Sequence, residues 1–304
     1  MLDTPLSLIT DILLPNVRGL VAKRLRAQGM SQNRIAVLVG VTQPAIKQYL
    51  DEDEDDLRGK LGEAGLSNEE IDSLVSNLVS LVSSGRKEEA SLYFTTFGLM
   101  MLSQLKLCNF HRRVNSSISS DCRICQSLYK EDEESQLQLA LSLLRNESVS
   151  KLIPEILSNL AYSKRDAREI LDVLAIPGRI AVIGGVPTPA SRPTWGGSRH
   201  LATILLETRR KCERWRSVMN IKYDEKVEEA ILKSGLRLVK VGPSDRRDDQ
   251  SIANMVASVI SSCPDVVVHL GGNGVEPNCY IFGENPLEVS SKVNKIAKLC
   301  CESS

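Results

Sequence analysis

The sequence predicts a multidomain protein that is all-α in its N-terminal half and α/β in its C-terminal half. Apolar residues recur at helical spacing up to about residue 150, whereas short β-branched runs ending at glycines alternate with helical segments beyond it. A chain of 304 residues, 42% of them apolar, can bury a core in each of two or three domains. We expect a small helical domain at 1–56, a helical linker or dimerisation region at 57–150 and an α/β domain at 151–304.

The first domain combines a basic segment with two short helices separated by a turn. Residues 17–50 include six basic side chains and no acidic one, and residues 51–56 are all acidic. Ser31 and Thr42 are suited to cap the two helices, and Gly40 lies where the turn needs a positive φ. A hairpin used only for packing, with a solvated charged face, would show much of the same pattern.

The spacing of this segment resembles the repressor-type helix-turn-helix family, in which the second helix enters the major groove of DNA. Amide side chains there can pair with adenine, and a lysine can pair with guanine. The resemblance therefore implies DNA binding through exposed side chains on and around the second helix. These are Arg34, Thr42, Gln43, Lys47 and Gln48.

The middle region contains two pairs of residues with the spacing of a zinc site. Cys108 with His111, and Cys122 with Cys125, form two potential ligand pairs separated by a short polar loop. Thiolate and imidazole ligands in this pattern predict a structural Zn²⁺ with four protein ligands. Buried reduced cysteines beside an unrelated histidine are the alternative. The other cysteines are expected to be packing or surface thiols: Cys212, Cys263, Cys279, Cys300 and Cys301.

Five motifs follow one another in the α/β domain. They are Ile153-Pro-Glu-Ile-Leu-Ser-Asn159, Ile176-Pro-Gly-Arg-Ile180, Trp195-Gly-Gly-Ser-Arg-His200, Arg216-Ser-Val-Met-Asn-Ile-Lys-Tyr-Asp224 and Gly274-Val-Glu-Pro277. In this order they resemble the thiamine-phosphate synthase domain of archaea, which is often fused behind a hydroxymethylpyrimidine kinase. In that family the domain joins a pyrimidine diphosphate to a thiazole phosphate and releases pyrophosphate. The resemblance implies a three-layer αβα fold with a mixed sheet.

The residue types in these motifs suit a phosphorylated, cationic heterocycle. Guanidinium groups, fixed N–H donors and a glycine pair before a helix can bind phosphate, and amide or carboxylate groups can bind an aminopyrimidine. The expected ligand-binding residues are Asn159, Arg179, Gly197, Ser198, His200, Arg216, Asn220 and Glu276. If the domain is active, Arg179 and His200 are the catalytic candidates. Taken alone, a histidine such as His200 is more often structural.

Two departures from the family's pattern weaken the expectation of catalysis. Val275 stands where the family has a lysine before Glu-Pro, and residues 244–250 differ from the family's acidic, proline-containing segment. The loss of a lysine that can balance a leaving pyrophosphate weakens catalysis more than recognition of a monophosphate. The sequence thus favours a ligand-sensing domain without catalytic residues.

Joined to a helix-turn-helix, such a domain resembles the archaeal thiamine-pathway repressors. The main hypothesis is a DNA-binding transcriptional regulator, a repressor of thiamine biosynthesis or transport genes, with thiamine phosphate or thiamine diphosphate as its effector. Two alternatives stay open. One is an active thiamine-phosphate synthase, and the other is a DNA-binding module whose α/β domain only dimerises.

Composition limits the partners and the location. The chain has 38 basic and 38 acidic residues, so its charge does not favour indiscriminate coating of nucleic acid. No apolar stretch approaches the roughly 20 residues of a membrane span, and the start lacks a secretion signature. We expect a cytoplasmic homodimer that binds a double-stranded DNA operator and a thiamine phosphate, and no membrane.

Overall fold

The structure, a computed structural model, describes residues 4–129 and 132–302. It divides into two compact units, with the boundary between residues 131 and 132. The first unit is helical, and a π-helix at Leu8–Leu13 leads into its first α-helix. Its α-helices are α1 (Leu14–Ala27), α2 (Gln32–Val39), α3 (Gln43–Asp51), α4 (Glu54–Ala64), α5 (Asn68–Ser83), α6 (Lys87–Ser103), α7 (Cys108–Val114) and α8 (Ile124–Leu128).

The two predicted short helices and their turn are confirmed as α2 and α3. The Ser31 hydroxyl caps α2 by accepting from the Arg34 N–H, and the Thr42 hydroxyl caps α3 by accepting from the Ala45 N–H. Gly40 ends α2 in the left-handed region with φ of 74°, where a side chain would strain the backbone. Both helices pack against α1.

The second unit contains all the strands that the structure describes. Its helices are α9 (Glu133–Leu144), α10 (Glu147–Ser150), α11 (Arg199–Arg209), α12 (Glu225–Lys233), α13 (Asp249–Ser258) and α14 (Pro286–Glu302), with a 3₁₀ turn at Ile170–Asp172. Its strands are β1 (Leu160–Ser163), β2 (Val173–Ala175), β3 (Ile180–Ile183), β4 (Val186–Pro189), β5 (Thr194–Trp195), β6 (Ser217–Lys222), β7 (Leu238–Val241), β8 (Val266–His269) and β9 (Asn278–Gly283). The sequence predicts that the α/β domain begins at 151, whereas α9 and α10 already belong to this unit.

Seven strands form one mixed sheet in the order β5-β2-β1-β6-β9-β8-β7. Only the pair β7 and β8 is parallel among the described pairs of this sheet, and the other neighbours are antiparallel. The predicted mixed sheet is therefore confirmed. Strand β3 does not join this sheet but pairs with β4 in a separate two-stranded sheet.

Helices cover both faces of the seven-stranded sheet. Helices α11 and α13 pack side by side on one face, while α9 and α14 contact the strands from the other. The core under α11 and α13 includes Trp215, whose ring stacks on Phe282 with centroids 4.2 Å apart. Because strand side chains alternate between faces, each strand contributes to both cores.

A disulfide joins Cys212 to Cys263, with Cα atoms 5.5 Å apart. The expectation that both are unpaired thiols was therefore wrong. Cys212 follows the end of α11 and Cys263 follows the end of α13, and these helices are neighbours, so their C-terminal connections meet. The two cysteines are 51 residues apart in sequence, so no local pattern indicates that they are close in the fold.

Within the described residues, no helix combines the length and apolar character needed to cross a membrane.

Candidate active site

The sheet face beneath α11 and α13 changes from apolar to polar toward one end. Phe282 of β9 lies in the apolar core, and two residues earlier Tyr280 is the register partner of Asn220 on β6. Two residues earlier again, Asn278 is the partner of His269 on β8. Register partners share a face, and residues two apart on a strand share it too. Four polar side chains therefore follow the core on this face.

The beginnings of α11 and α13 lie at this polar end, where three side chains form a hydrogen-bonded chain. His200, in the first turn of α11, has its Nδ1 2.8 Å from Oδ1 of Asp249, the first residue of α13. The His200 Nε2 lies 3.1 Å from the Tyr280 hydroxyl. Burial raises the pKa of Tyr280, so its hydroxyl keeps its proton. The helix starts add N–H groups and positive dipole ends to the same place.

Gly197 and Ser198 set the position where α11 begins. The Ser198 hydroxyl accepts from the Leu201 N–H at 3.4 Å as the cap of the helix. A Cβ atom on Gly197 would lie 2.4 Å from the carbonyl oxygen of Ala175, so only glycine fits here without a shift of backbone. Both predicted ligand residues therefore adjoin His200 in the chain and position its helix.

Three buried asparagines connect neighbouring strands at the same end. The Asn159 N–H donates to Oδ1 of Asn220 at 2.8 Å, and Nδ2 of Asn220 donates to Oδ1 of Asn278 at 3.3 Å. The Asn159 side chain also bonds both the carbonyl oxygen and the N–H of Ile176, at 2.8 and 3.0 Å. These bonds hold the amide groups in fixed orientations at the sheet end.

Glu276 and Arg179 converge on the loop before β1. The Glu276 carboxylate accepts from the N–H groups of Glu155 and Ile156, at 3.3 and 3.2 Å. The exposed Arg179 side chain donates to the carbonyl oxygen of Ile156, and its backbone has a φ of 71°, which is uncommon for a residue with a side chain. The predicted ligand residues Asn159, Arg179 and Glu276 thus belong to one connected region.

His269 has one satisfied and one unsatisfied ring nitrogen. It is only 2% exposed, and its Nδ1 accepts from the Gly271 N–H at 3.2 Å. A neutral imidazole that accepts at Nδ1 carries its proton at Nε2, and that atom is buried without a hydrogen-bond partner among the described residues. Burial, followed by the charge of His200, holds the pKa of His269 below 6.5. An unpaired buried donor costs about 1–3 kcal/mol.

The structure does not bring Arg216 to this region, although the sequence predicts it as a ligand-binding residue. Arg216 precedes β6, four residues from Asn220, which corresponds to about 13 Å along a strand. Its guanidinium donates to the carbonyl oxygen of Ser163 at 2.9 and 3.1 Å and pairs with Glu133 at 3.4 Å. Its position at the opposite end of the strand explains the difference.

The four predicted zinc ligands lie in α7, in α8 and in the loop between them. Burial raises the pKa of the Cys125 thiol to about 11, and negative charge on Cys108 and Cys122 adds to the effect. His111 is also buried. Over residues 4–129 and 132–302, no three His, Cys, Asp or Glu side chains are arranged to hold a metal ion. The zinc site therefore stays a prediction. The expected homodimer is likewise untested and stays a prediction.

Sequence reasoning missed Asp249, Tyr280, Asn278 and His269. His269 ends β8 after three valines, whereas Tyr280 and Asn278 lie on β9, where polar side chains alternate with buried apolar ones such as Cys279. This period of two, in a segment that otherwise looks like core, was the available signal. Asp249 stands in a segment of mixed charge that gives no hint of its histidine partner.

Comparison with known proteins identifies what the second unit is similar to. The family model of thiamine-phosphate synthase ThiN matches residues 136–295. The chain is 29% identical over 179 residues to the thiamine-phosphate synthase ThiN of Methanothermobacter thermautotrophicus, covering 55% of this chain and 93% of that protein. It is 31% identical over 179 residues to the bifunctional thiamine biosynthesis protein ThiDN of Methanocaldococcus jannaschii, covering 56% of this chain and only 42% of that protein. A crystal structure of the C-terminal domain of phosphomethylpyrimidine kinase is 29% identical, with 54% of this chain and 97% of that chain covered and a TM-score of 0.49.

These matches correct the main hypothesis drawn from the sequence. The relatives are named as a synthase and as a bifunctional biosynthesis protein, which contradicts a DNA-binding transcriptional repressor and favours the enzyme alternative. The side chains assigned to DNA are exposed, namely Arg34, Thr42, Gln43, Lys47 and Gln48. Exposure is the ordinary state of polar side chains on a short helix, and the resemblance of spacing alone misled the prediction.

Proposed function

The chain belongs to the thiamine-phosphate synthase ThiN family, and on that premise we propose that its second unit forms thiamine phosphate. The substrates would be hydroxymethylpyrimidine diphosphate and thiazole phosphate. The thiazole nitrogen bonds to the methylene carbon of the pyrimidine, the bond from that carbon to the diphosphate oxygen breaks, and pyrophosphate leaves with the electron pair. No proton has to be gained or lost overall.

Catalysis of this reaction has two requirements. The protein must hold the two rings at bonding distance, and it must stabilise the negative charge that develops on pyrophosphate. Neither task requires a nucleophilic side chain. The polar end of the sheet offers groups suited to both tasks.

The observation that carries the proposal is the chain Asp249–His200–Tyr280 at the beginnings of α11 and α13. Asp249 orients the His200 imidazole through Nδ1, so that Nε2 and the Tyr280 hydroxyl are directed together. The start of α11, which has no acidic residue in its first turn, favours an anion beside it. We assign pyrophosphate to this place, with His200 donating from Nε2 to the leaving oxygen when both of its ring nitrogens carry protons.

The asparagine row suits the heterocycles, because amides can donate to and accept from an aminopyrimidine. Asn159 and Asn220 are held by their neighbours, so little rotamer entropy remains to be lost on binding. The exposed guanidinium of Arg179 is available to a phosphate. The product thiamine phosphate would span both groups of residues.

Val275 does not remove positive charge from the turn in which it lies. The Arg247 guanidinium donates to the carbonyl oxygen of Asn273 in that turn, at 3.1 Å. A cation is therefore present beside the position where a lysine was expected, and catalysis does not depend on residue 275 to supply it.

The test is turnover by the purified full chain with both substrates. Thiamine phosphate and pyrophosphate should appear in equal amounts. His200→Phe should lower kcat/KM by roughly 10²- to 10³-fold, the usual effect of losing one donor to a developing oxyanion. Lys233→Ala is the control, because Lys233 pairs only with Glu229 on the exposed side of α12 among the contacts described. Absence of thiamine phosphate with the unmodified chain would refute the proposal.

A further inference from the structure

The buried Nε2 of His269 makes no hydrogen bond to any of the described residues. The other ring nitrogen holds the turn after β8 through the Gly271 N–H, and that task alone would be met by a shorter acceptor. Packing alone would be met by an apolar ring of the same shape. A neutral N–H donor, shielded from water and left unpaired, therefore points to a partner that arrives with the substrate.

The surroundings of His269 indicate the chemistry of that partner. The turn that follows it is glycine-rich, and the guanidinium of Arg247 lies against it at Asn273. His200 is the side chain whose charge acts on His269, and it stands at the start of α11. A guanidinium, a helix start and two imidazoles favour an anionic oxygen over a cationic or apolar group.

We propose that His269 is a substrate-binding residue whose neutral Nε2–H donates to a phosphoryl oxygen held between His269 and His200. The inference rests on the proposed function, which supplies two sources of that oxygen, the diphosphate of the pyrimidine and the monophosphate of the thiazole. The side chain of His200, whose charge acts on His269, is 29% exposed and can meet a ligand from solvent.

Two substitutions separate the tasks of the two ring nitrogens. Asparagine at this position, in His269→Asn, keeps an acceptor near Nδ1 for the Gly271 N–H but does not reach the place of Nε2. Glutamine, in His269→Gln, brings an amide N–H to the place of Nε2 and leaves Gly271 without its acceptor. If His269 has only a structural role, His269→Asn should be the more stable of the two variants. If its Nε2–H donates to a ligand, His269→Gln should bind the anion more tightly than His269→Asn.

Binding of inorganic pyrophosphate and inorganic phosphate to the full chain is measured by calorimetry. His269→Asn should bind pyrophosphate roughly 10- to 100-fold more weakly than the unmodified chain, the range for a lost hydrogen bond to a charged group. His269→Gln should stay within a few-fold of the unmodified chain. The anion with the larger loss identifies the source of the oxygen. Equal affinity of the Asn variant and the unmodified chain, or no binding of either anion, would overturn the inference.

Nitrogen NMR of histidine rings gives a second readout, because the chain has only three histidines. Before addition of pyrophosphate, His269 should be neutral with its proton on Nε2, and pyrophosphate should shift that N–H signal downfield. An unchanged signal under saturating pyrophosphate would refute the contact. If pyrophosphate shifts the His269 signal but the chain forms no thiamine phosphate, the contact with His269 is supported and the proposed function is refuted. If His269→Asn retains full turnover, the proposed function is supported and the contact with His269 is refuted.

Discussion

Removal of the negative charge behind His200 should slow the proposed reaction without unfolding the protein. Asp249→Asn keeps the size of the side chain and an oxygen near Nδ1 of His200, but it loses the charge of the 2.8 Å hydrogen bond. A hydrogen bond to a charged group contributes about 1.5–3 kcal/mol. The side chains of His200 and Asp249 are 29% and 34% exposed, so solvent screening reduces this to about 1–2 kcal/mol. We expect kcat/KM to fall roughly 5- to 30-fold.

A neighbouring carboxylate supplies the matched control. Asp248 caps α13 by accepting from the Ser251 N–H at 2.8 Å, and asparagine caps a helix about as well as aspartate. Asp248→Asn therefore removes the same charge one residue away while it preserves the helix start. Steady-state turnover is compared at equal fractions of folded protein, checked by thermal unfolding. The reasoning fails if the two variants lose activity equally or if Asp249→Asn retains full activity.

Four further predictions concern stability, metal and pH. Gly197→Ala should abolish turnover and lower the unfolding temperature, because the added Cβ meets a carbonyl oxygen at 2.4 Å; normal activity would show that the start of α11 tolerates a shift. Cys263→Ser should reduce the free energy of unfolding in urea by about 2–4 kcal/mol, given the 51-residue separation that the disulfide closes, and a loss no larger than in Cys301→Ser would contradict it. Anaerobically purified protein should contain about one Zn²⁺ per chain by metal analysis, and Cys122→Ser should lose it. The pKa of His269 in the folded protein lies below 6.5, so below this pH the unfolded chain binds a proton at His269 more readily than the folded chain does. The free energy of unfolding should therefore fall as the pH drops below 6.5, by at most about 1.4 kcal/mol per pH unit. The fall should be less steep in His269→Gln.

The helices of both units could be predicted from sequence because caps and apolar periodicity are local signals. Ser31 and Thr42 cap helices where expected. Strands of the sheet were harder to predict. β1 and β2 have four and three residues, too short for their alternation to stand out from turns.

The candidate site was predicted only where a motif is contiguous. Gly197, Ser198 and His200 were found because they follow one another at a helix start. The partners of His200 are 49 and 80 residues away in sequence, and no local pattern connects them. Arg216 shows the opposite error, since a motif that contains Asn220 does not place its first residue at the same end of the strand.

Strand β9 explains how a polar site can be positioned inside a buried sheet. Tyr280 is 3% exposed and its ring belongs to the core, yet its hydroxyl reaches His200. The register that puts Phe282 against Trp215 also puts Tyr280 beneath α11 and Asn278 beside His269. A slip of one residue in the register of β9 would turn these three side chains to the other face of the sheet. The core would then lose Phe282, and the site would lose the Tyr280 hydroxyl. The apolar packing energy of the core therefore fixes the register on which the polar end depends.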